Sequence, residues 1–170
     1  FLHASRAGLK LSDDGRHRVD LFLDYRFEGF PADNIPASLA GMQVREPTTD
    51  LGVSYAYRAA WGTLKAEYVH DALNVTKGDE LRLGYSYDWK SGRWHLRPGL
   101  TLMLRSARLN DYYYGVRADE ATANRPEYMP GAGTDAWLGV YGYYDFSRGW
   151  RILGGLGVNL LDNDVRKSPI

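Results

Sequence analysis

The chain has 170 residues, with 21 Lys and Arg set against 21 Asp and Glu, so it lacks the net field that would steer a nucleic acid or an anionic surface. It has no cysteine, which excludes a disulfide framework and thiolate metal sites, and no run near the roughly 20 apolar residues a spanning helix requires. Its 19 glycines, 13 tyrosines and 5 tryptophans suit an all-β chain rich in turns.

The length is that of one domain, and residues 1–170 read as a single β domain. The chain opens on a strand-like pattern without Met and stops at Ser168-Pro169-Ile170, which reads as a fragment lacking both natural ends. A weak, glycine-containing strand is predicted near residues 2–11. From His17 to Glu28 the apolar Val19, Leu21, Leu23, Tyr25 and Phe27 alternate with Arg18, Asp20, Asp24, Arg26 and Glu28, giving one apolar and one densely charged face. The same period returns over 51–58 and again over 64–68, where Glu67 shares the polar face.

It is clearest over 80–89, where Leu81, Leu83, Tyr85, Tyr87 and Trp89 alternate with Glu80, Arg82, Gly84, Ser86 and Asp88. Over 94–105, Leu100, Leu102 and Leu104 oppose Arg97, Thr101 and Arg105, and Pro98 predicts a bulge or local break in the ladder. Two further strands are predicted over 136–146 and 150–160, making eight in all. The glycine-rich Gly154-Gly155-Leu156-Gly157 lies within the last and opens no helix, so it reads as close packing or curvature instead of a phosphate cradle.

Turn signals at 12–15, 60–62, 90–92 and 147–149 are short, whereas the connections 29–48, 71–78 and 106–133 are long. Short and long links therefore alternate strictly. A soluble sandwich or barrel shows no such fixed rhythm, whereas a transmembrane barrel has short periplasmic turns, longer outer loops, an apolar face toward lipid and aromatic girdles. Tyr57, Trp61, Trp89, Trp94, Phe146 and Trp150 fall at the short-turn ends, as an interfacial girdle requires. The alternative is a soluble lipocalin-like barrel whose end these aromatics plug, against which stands the dense charge of the other face. The predicted fold is an antiparallel up-and-down transmembrane β-barrel, a meander of about eight strands in this fragment. Its lumen should carry Asp24, Arg26, Glu67, Arg82, Arg97 and Arg105.

No catalytic, cofactor or metal site is predicted. The four histidines have no ligand spacing, no serine stands in a nucleophile elbow, and the acidic residues alternate with Arg and Lys in a way that favours mutual neutralisation. The 106–133 segment begins with Asn110-Asp111-Tyr112-Tyr113-Tyr114-Gly115-Val116. It reads as a loop in which Asn110 and Asp111 start a turn, Gly115 permits a tight one, and the tyrosines either pack back against Tyr128 or form a recognition surface.

That block, with Tyr128, Gly133, the 51–57 segment and the tail 161–170 ending in Ser168 and Pro169, resembles the hallmark blocks of the MipA/OmpV family, named for the MltA-interacting protein. The resemblance covers essentially the whole chain, with an N-terminal stretch and a final strand of the family's members absent. It implies a Gram-negative outer-membrane barrel without enzymatic activity or cofactor. Its expected partners are outer-membrane lipid and, through a scaffold role in peptidoglycan remodelling, a periplasmic murein lytic transglycosylase and a bifunctional murein synthase. A small pore or ligand-binding barrel and a surface adhesin are the alternatives.

Overall fold

The alternating segments all form strands. A computed structural model describes residues 1–3, 5–30, 35–146 and 149–170, apart from the His3 side chain. The strands are β1 (Leu2–His3), β2 (Arg6–Asp13), β3 (His17–Arg26), β4 (Thr48–Ala59), β5 (Gly62–Asp71), β6 (Asp79–Ser86), β7 (Trp89–Ser91), β8 (Trp94–Arg105), β9 (Gly133–Asp145) and β10 (Arg151–Leu160). They make one antiparallel sheet in the order β1-β2-β3-β4-β5-β6-β8-β9-β10, with β7 added to β8. Eight strands are long and each pairs with its neighbour in sequence, the predicted meander. Among the described residues helix is confined to α1 (Ala107–Tyr114), α2 (Asn163–Arg166) and two 3-10 turns, Ala37–Leu39 and Ala118–Glu120. Among the described residues no helix is long and apolar enough to cross a membrane.

Short and long connections fall at opposite ends of the sheet. Glycines with positive φ stand in all four short ones: Gly15 at φ 89°, Gly62 at 136°, Gly92 at 56° and Gly149 at 81°. Ser147 and Arg148 of the predicted 147–149 turn lie outside the described residues.

Two strands differ from the alternation. The segment near 2–11 is split: β1 doubles back on β2, and the β2–β3 register slips at a bulge between Lys10 and Ser12. The 80–89 run is also two strands. Pro98 leaves β8 continuous, and the break falls on its partner, where β6 stops at Ser86 opposite Gly99 and β7 resumes at Trp89 opposite Leu96. The Tyr87 N–H bridges the gap by donating to the Pro98 carbonyl at 3.1 Å.

The sheet curls strongly. Neighbouring strands lie about 4.8 Å apart, so three steps across a flat sheet would separate β3 from β6 by about 14 Å. Yet Arg26 of β3 reaches Glu80 of β6 at 3.1 Å, and Arg82 of β6 reaches Asp24 of β3 at 3.1 Å. The charged face is therefore the concave inside of a barrel-like sheet. Leu81, Leu83, Tyr85, Leu100, Leu102 and Leu104 lie on the convex face and are exposed, as predicted. Trp61, Trp89, Trp94, Phe146 and Trp150 are exposed at the short-turn end. Among the described residues the sheet is an open path whose ends, β1 and β10, no ladder joins, and β10 is exposed along its whole length.

Aromatic side chains break the polar pattern of the inner face, and glycines make room for Phe22 and Trp137. Phe22 is buried between its register partners Gly8 and Gly52; a Cβ on Gly52 would strike the Phe22 ring and Val69. Trp137 lies over Gly139 and Gly157, and Gly99, Gly139 and Gly157 are register partners on β8, β9 and β10. Within the glycine run of β10, Gly157 makes room for the Trp137 indole and Gly155 sits against Tyr141 of β9, whereas Gly154 faces open space.

Candidate functional site

Five of the six predicted lumen charges meet in one network. Arg26 holds Asp50 at 2.6 Å, Glu28 at 2.9 Å and Glu80 at 3.1 Å. Arg82 pairs with Glu80 and with Asp24, and Arg6 joins Asp24 at 2.8 Å to Glu67 at 2.5 Å while lying over the Phe22 ring. Arg105 grips Glu28 through both terminal nitrogens, at 2.8 and 2.9 Å, with Asp135 3.7 Å away. Charges removed from water in this way are tolerated only when paired and hydrogen-bonded, and each of these arginines meets at least two carboxylates.

Arg97 is the sixth and stands apart. It pairs with Asp88 at 2.5 Å and both side chains are largely exposed, at 45% and 63%. The reason is its position on β8, four residues closer to the short turns than Thr101 and opposite Tyr141 of β9. The network members Arg6, Asp50 and Asp135 were not singled out from sequence. Each nonetheless holds a polar-face position, which strand parity would have supplied.

Among the described residues, the long-loop end of the lumen is covered by residues 27–30 and 35–47, by 106–132 and by 161–170. The tyrosine block here is not the extended loop or turn the sequence suggested; it is α1. Ser106 caps the helix, its hydroxyl accepting from the Leu109 N–H at 3.4 Å and also from the Asp79 N–H at 2.9 Å. The sequence Ala107-Arg108-Leu109-Asn110-Asp111-Tyr112-Tyr113-Tyr114 contains no β-branched residue, and Leu109 and Tyr113, four apart, bury one helical face. Gly115 follows at φ −77°, an ordinary conformation, so it is not needed for a left-handed turn. It is needed for space, because a Cβ would run into the Asp111 carbonyl that accepts the Gly115 N–H.

The three tyrosines take different partners from those expected. The Tyr112 hydroxyl accepts from the Glu46 N–H at 2.8 Å, that of Tyr113 donates to the Glu46 carbonyl at 3.4 Å, and that of Tyr114 donates to Glu28 at 2.9 Å. Tyr128 instead donates to the Asp164 carbonyl at 2.7 Å, and its backbone pairs with buried Val116. Burial raises the Glu28 carboxyl, but Arg105 and Arg26 outweigh it and hold the group below its ordinary range. Burial pushes the Tyr113 and Tyr114 hydroxyls up, so both stay protonated.

A buried ion pair fastens the first two segments. Arg45 and Glu120, each with only 1% of its side chain exposed, form a two-pronged bridge at 2.8 and 2.9 Å. Glu120 also accepts from the N–H groups of Gln43 and Arg117, at 2.8 and 2.9 Å. Burial acts to raise its carboxyl; the Arg45 guanidinium and these two N–H groups prevail and bring it to about 2. Arg125 adds hydrogen bonds to the carbonyls of Ser38, Ala40 and Glu120.

The tail is tied to the same place. Ser168 donates to the Tyr114 carbonyl at 2.7 Å, buried Asn110 donates to the Gly131 carbonyl at 2.9 Å, and the Asp162 N–H reaches Asp135 at 2.7 Å. Pro169 follows Ser168, and Ile170 lines a small hollow with Glu28 and Tyr114. The block 110–116, Tyr128 and Ser168, distant in sequence, thus assemble into one cap over the charged lumen. Among the described residues no three His, Asp or Glu side chains are grouped to hold a metal ion.

The family model described as MltA-interacting protein MipA matches residues 1–170. The outer membrane protein Omp26La of Vibrio anguillarum is 33% identical over 133 residues, 78% of this chain and 52% of the relative. The outer membrane protein OmpV of Vibrio cholerae is 32% identical over the same shares of each. The MltA-interacting protein of Escherichia coli K12 is 28% identical over 127 residues, 74% of this chain and 51% of the relative. The chain spans about half the length of these curated relatives, and no solved structure matches it. A curled meander with an apolar convex face, a charged lumen and a match over every residue agree: the chain belongs to the MipA/OmpV family of outer-membrane proteins.

Proposed function

We propose that this protein is a non-catalytic scaffold of the outer membrane that binds a periplasmic murein lytic transglycosylase at its short-turn end and connects it to a bifunctional murein synthase. The observation that carries this reading is a lumen filled with paired charges and capped at its long-loop end. Carboxylates and arginines neutralise one another across it, and the Arg45–Glu120 bridge holds the loops over one end. A function that requires no passage through the barrel suits that arrangement better than a pore. The name of the E. coli relative, MltA-interacting protein, supplies the partner class.

In bacterial barrels the short turns face the periplasm and the apolar face meets lipid. Here the short-turn end, beyond the tryptophan girdle, offers exposed Lys90 and Arg93. Arginine is among the residue types that dominate protein interfaces. An adhesin reading is less well supported, since the hydroxyls of Tyr112, Tyr113 and Tyr114 are occupied within the cap. Retention of the purified transglycosylase on immobilised full-length protein tests the proposal. Binding that falls at least tenfold on joint Lys90→Glu and Arg93→Glu replacement is expected, and absence of retention by the unaltered protein would refute it.

A further inference from the structure

We propose that the inner vestibule at the short-turn end binds an anionic carbohydrate, a sugar ring bearing a phosphate or carboxylate, independently of any protein partner. The vestibule is a cavity of about 650 Å³ on the concave face, within the range of about 300–1,000 Å³ usual for small-molecule sites. Arg6, Arg18, Arg58, Lys65 and Arg97 line it together with Asp20 and Asp88; Arg6 also pairs with Asp24 and Glu67, Lys65 with Glu67 and Arg58 with Asp13. Across from the cations of β2 to β5 stand Trp137 and Tyr141 of β9, and the hydroxyls of Ser86 and Thr101 complete the polar lining.

The cations here are of two kinds. Those of the inner network are held tightly: Arg26 and Arg105 are 9% and 7% exposed, with several carboxylates each. Lys65, Arg58 and Arg97 are instead 42%, 37% and 45% exposed, paired with Glu67, Asp13 and Asp88. Of these, the Arg97–Asp88 pair is exposed on both sides, and such a pair contributes little, so Arg97 exchanges readily to a ligand anion, while Lys65 and Arg58 keep exposed ends beside the less exposed Glu67 and Asp13. Trp137 lies flat over Gly139 and Gly157, which fixes the indole as one wall of the cavity. An aromatic face carries negative quadrupole density and accepts the C–H groups of a sugar ring. A cation set, a fixed aromatic wall and hydroxyl groups in one cavity match a sugar acid or sugar phosphate better than a bare anion. Because the cap covers the far end, the ligand enters from the short turns.

Isothermal titration of the full-length protein in detergent micelles tests this with four probes: glucose 6-phosphate, glucuronate, glucose and inorganic phosphate. The expected result is saturable binding of at least one anionic sugar, tenfold or more tighter than either glucose or inorganic phosphate. Joint Lys65→Gln and Arg97→Gln replacement should weaken it at least tenfold, while Arg108→Gln in the cap leaves it unchanged. Binding by the unaltered protein should also weaken steadily with added salt, a readout that does not depend on the variant folding. Lack of saturable binding by both anionic sugars, affinity no better than that of inorganic phosphate, or insensitivity to salt overturns the proposal.

Discussion

The Tyr114 hydroxyl donates to Glu28 at 2.9 Å, across 86 positions of sequence, and the same carboxylate is gripped by Arg105. Cap and lumen are therefore one hydrogen-bonded unit. Tyr114→Phe removes a hydrogen bond to a charged group and should cost about 1.5–3 kcal/mol. Urea titration in lipid vesicles measures it. Joint replacement of Tyr112, Tyr113 and Tyr114 by Ser should go further, raising protease cleavage within 106–133 while leaving transglycosylase retention intact. Unchanged cleavage together with lost retention would contradict the cap assignment.

The Arg45–Glu120 bridge makes the cap acid-sensitive. The Glu120 carboxyl lies at about 2 in the folded protein against an ordinary 4.5, so the folded state favours the ionised form. A depressed carboxylate contributes stability fully above the ordinary value and loses it as pH falls toward the folded one. Limited proteolysis of the 106–133 loop should accelerate within that window. Glu120→Gln should remove this component of the pH dependence. Above that window it should also destabilise by about 3–5 kcal/mol, because it leaves Arg45 buried and unpaired, and the deficit should shrink as acid protonates Glu120 in the unaltered protein.

Leu83 and Leu102 are register partners in mid-strand on the convex face. Replacing either by Arg should destabilise the protein in lipid by about 2–4 kcal/mol. A neutral result in vesicles would mean that the face is not lipid-facing.

Gly52 gives way to the Phe22 ring inside the lumen. Gly52→Val should overpack that site and cost about 1–3 kcal/mol, and the joint change with Phe22→Ala should recover part of the loss. Additive losses in a double-mutant cycle would contradict the contact.

The strands were legible because a two-residue period reports directly which face is buried, and the curl follows from the charges that had to meet: Arg26 and Glu80 are already opposite in sign on polar-face positions. The end of β6 was not legible, since its cause, Pro98, sits on the partner strand. Nor was α1. Three consecutive tyrosines carry no two-residue period, and the cap signal from Ser106 is one residue long. The cap itself depends on contacts such as Arg45 with Glu120, 75 positions apart, for which local pattern contains no sign. Phe22 and Trp137 were hidden differently: strand parity puts them on the charged face, and only the glycines opposite them mark the exception.

Conductance across a planar lipid bilayer tests the capped, charge-filled lumen most directly. The full-length protein should insert without discrete conductance steps, and joint Arg45→Ala and Arg125→Ala replacement, which frees the loops from Glu120 and the Ser38 and Ala40 carbonyls, should introduce them. Regular ohmic steps from the unaltered protein would contradict the account.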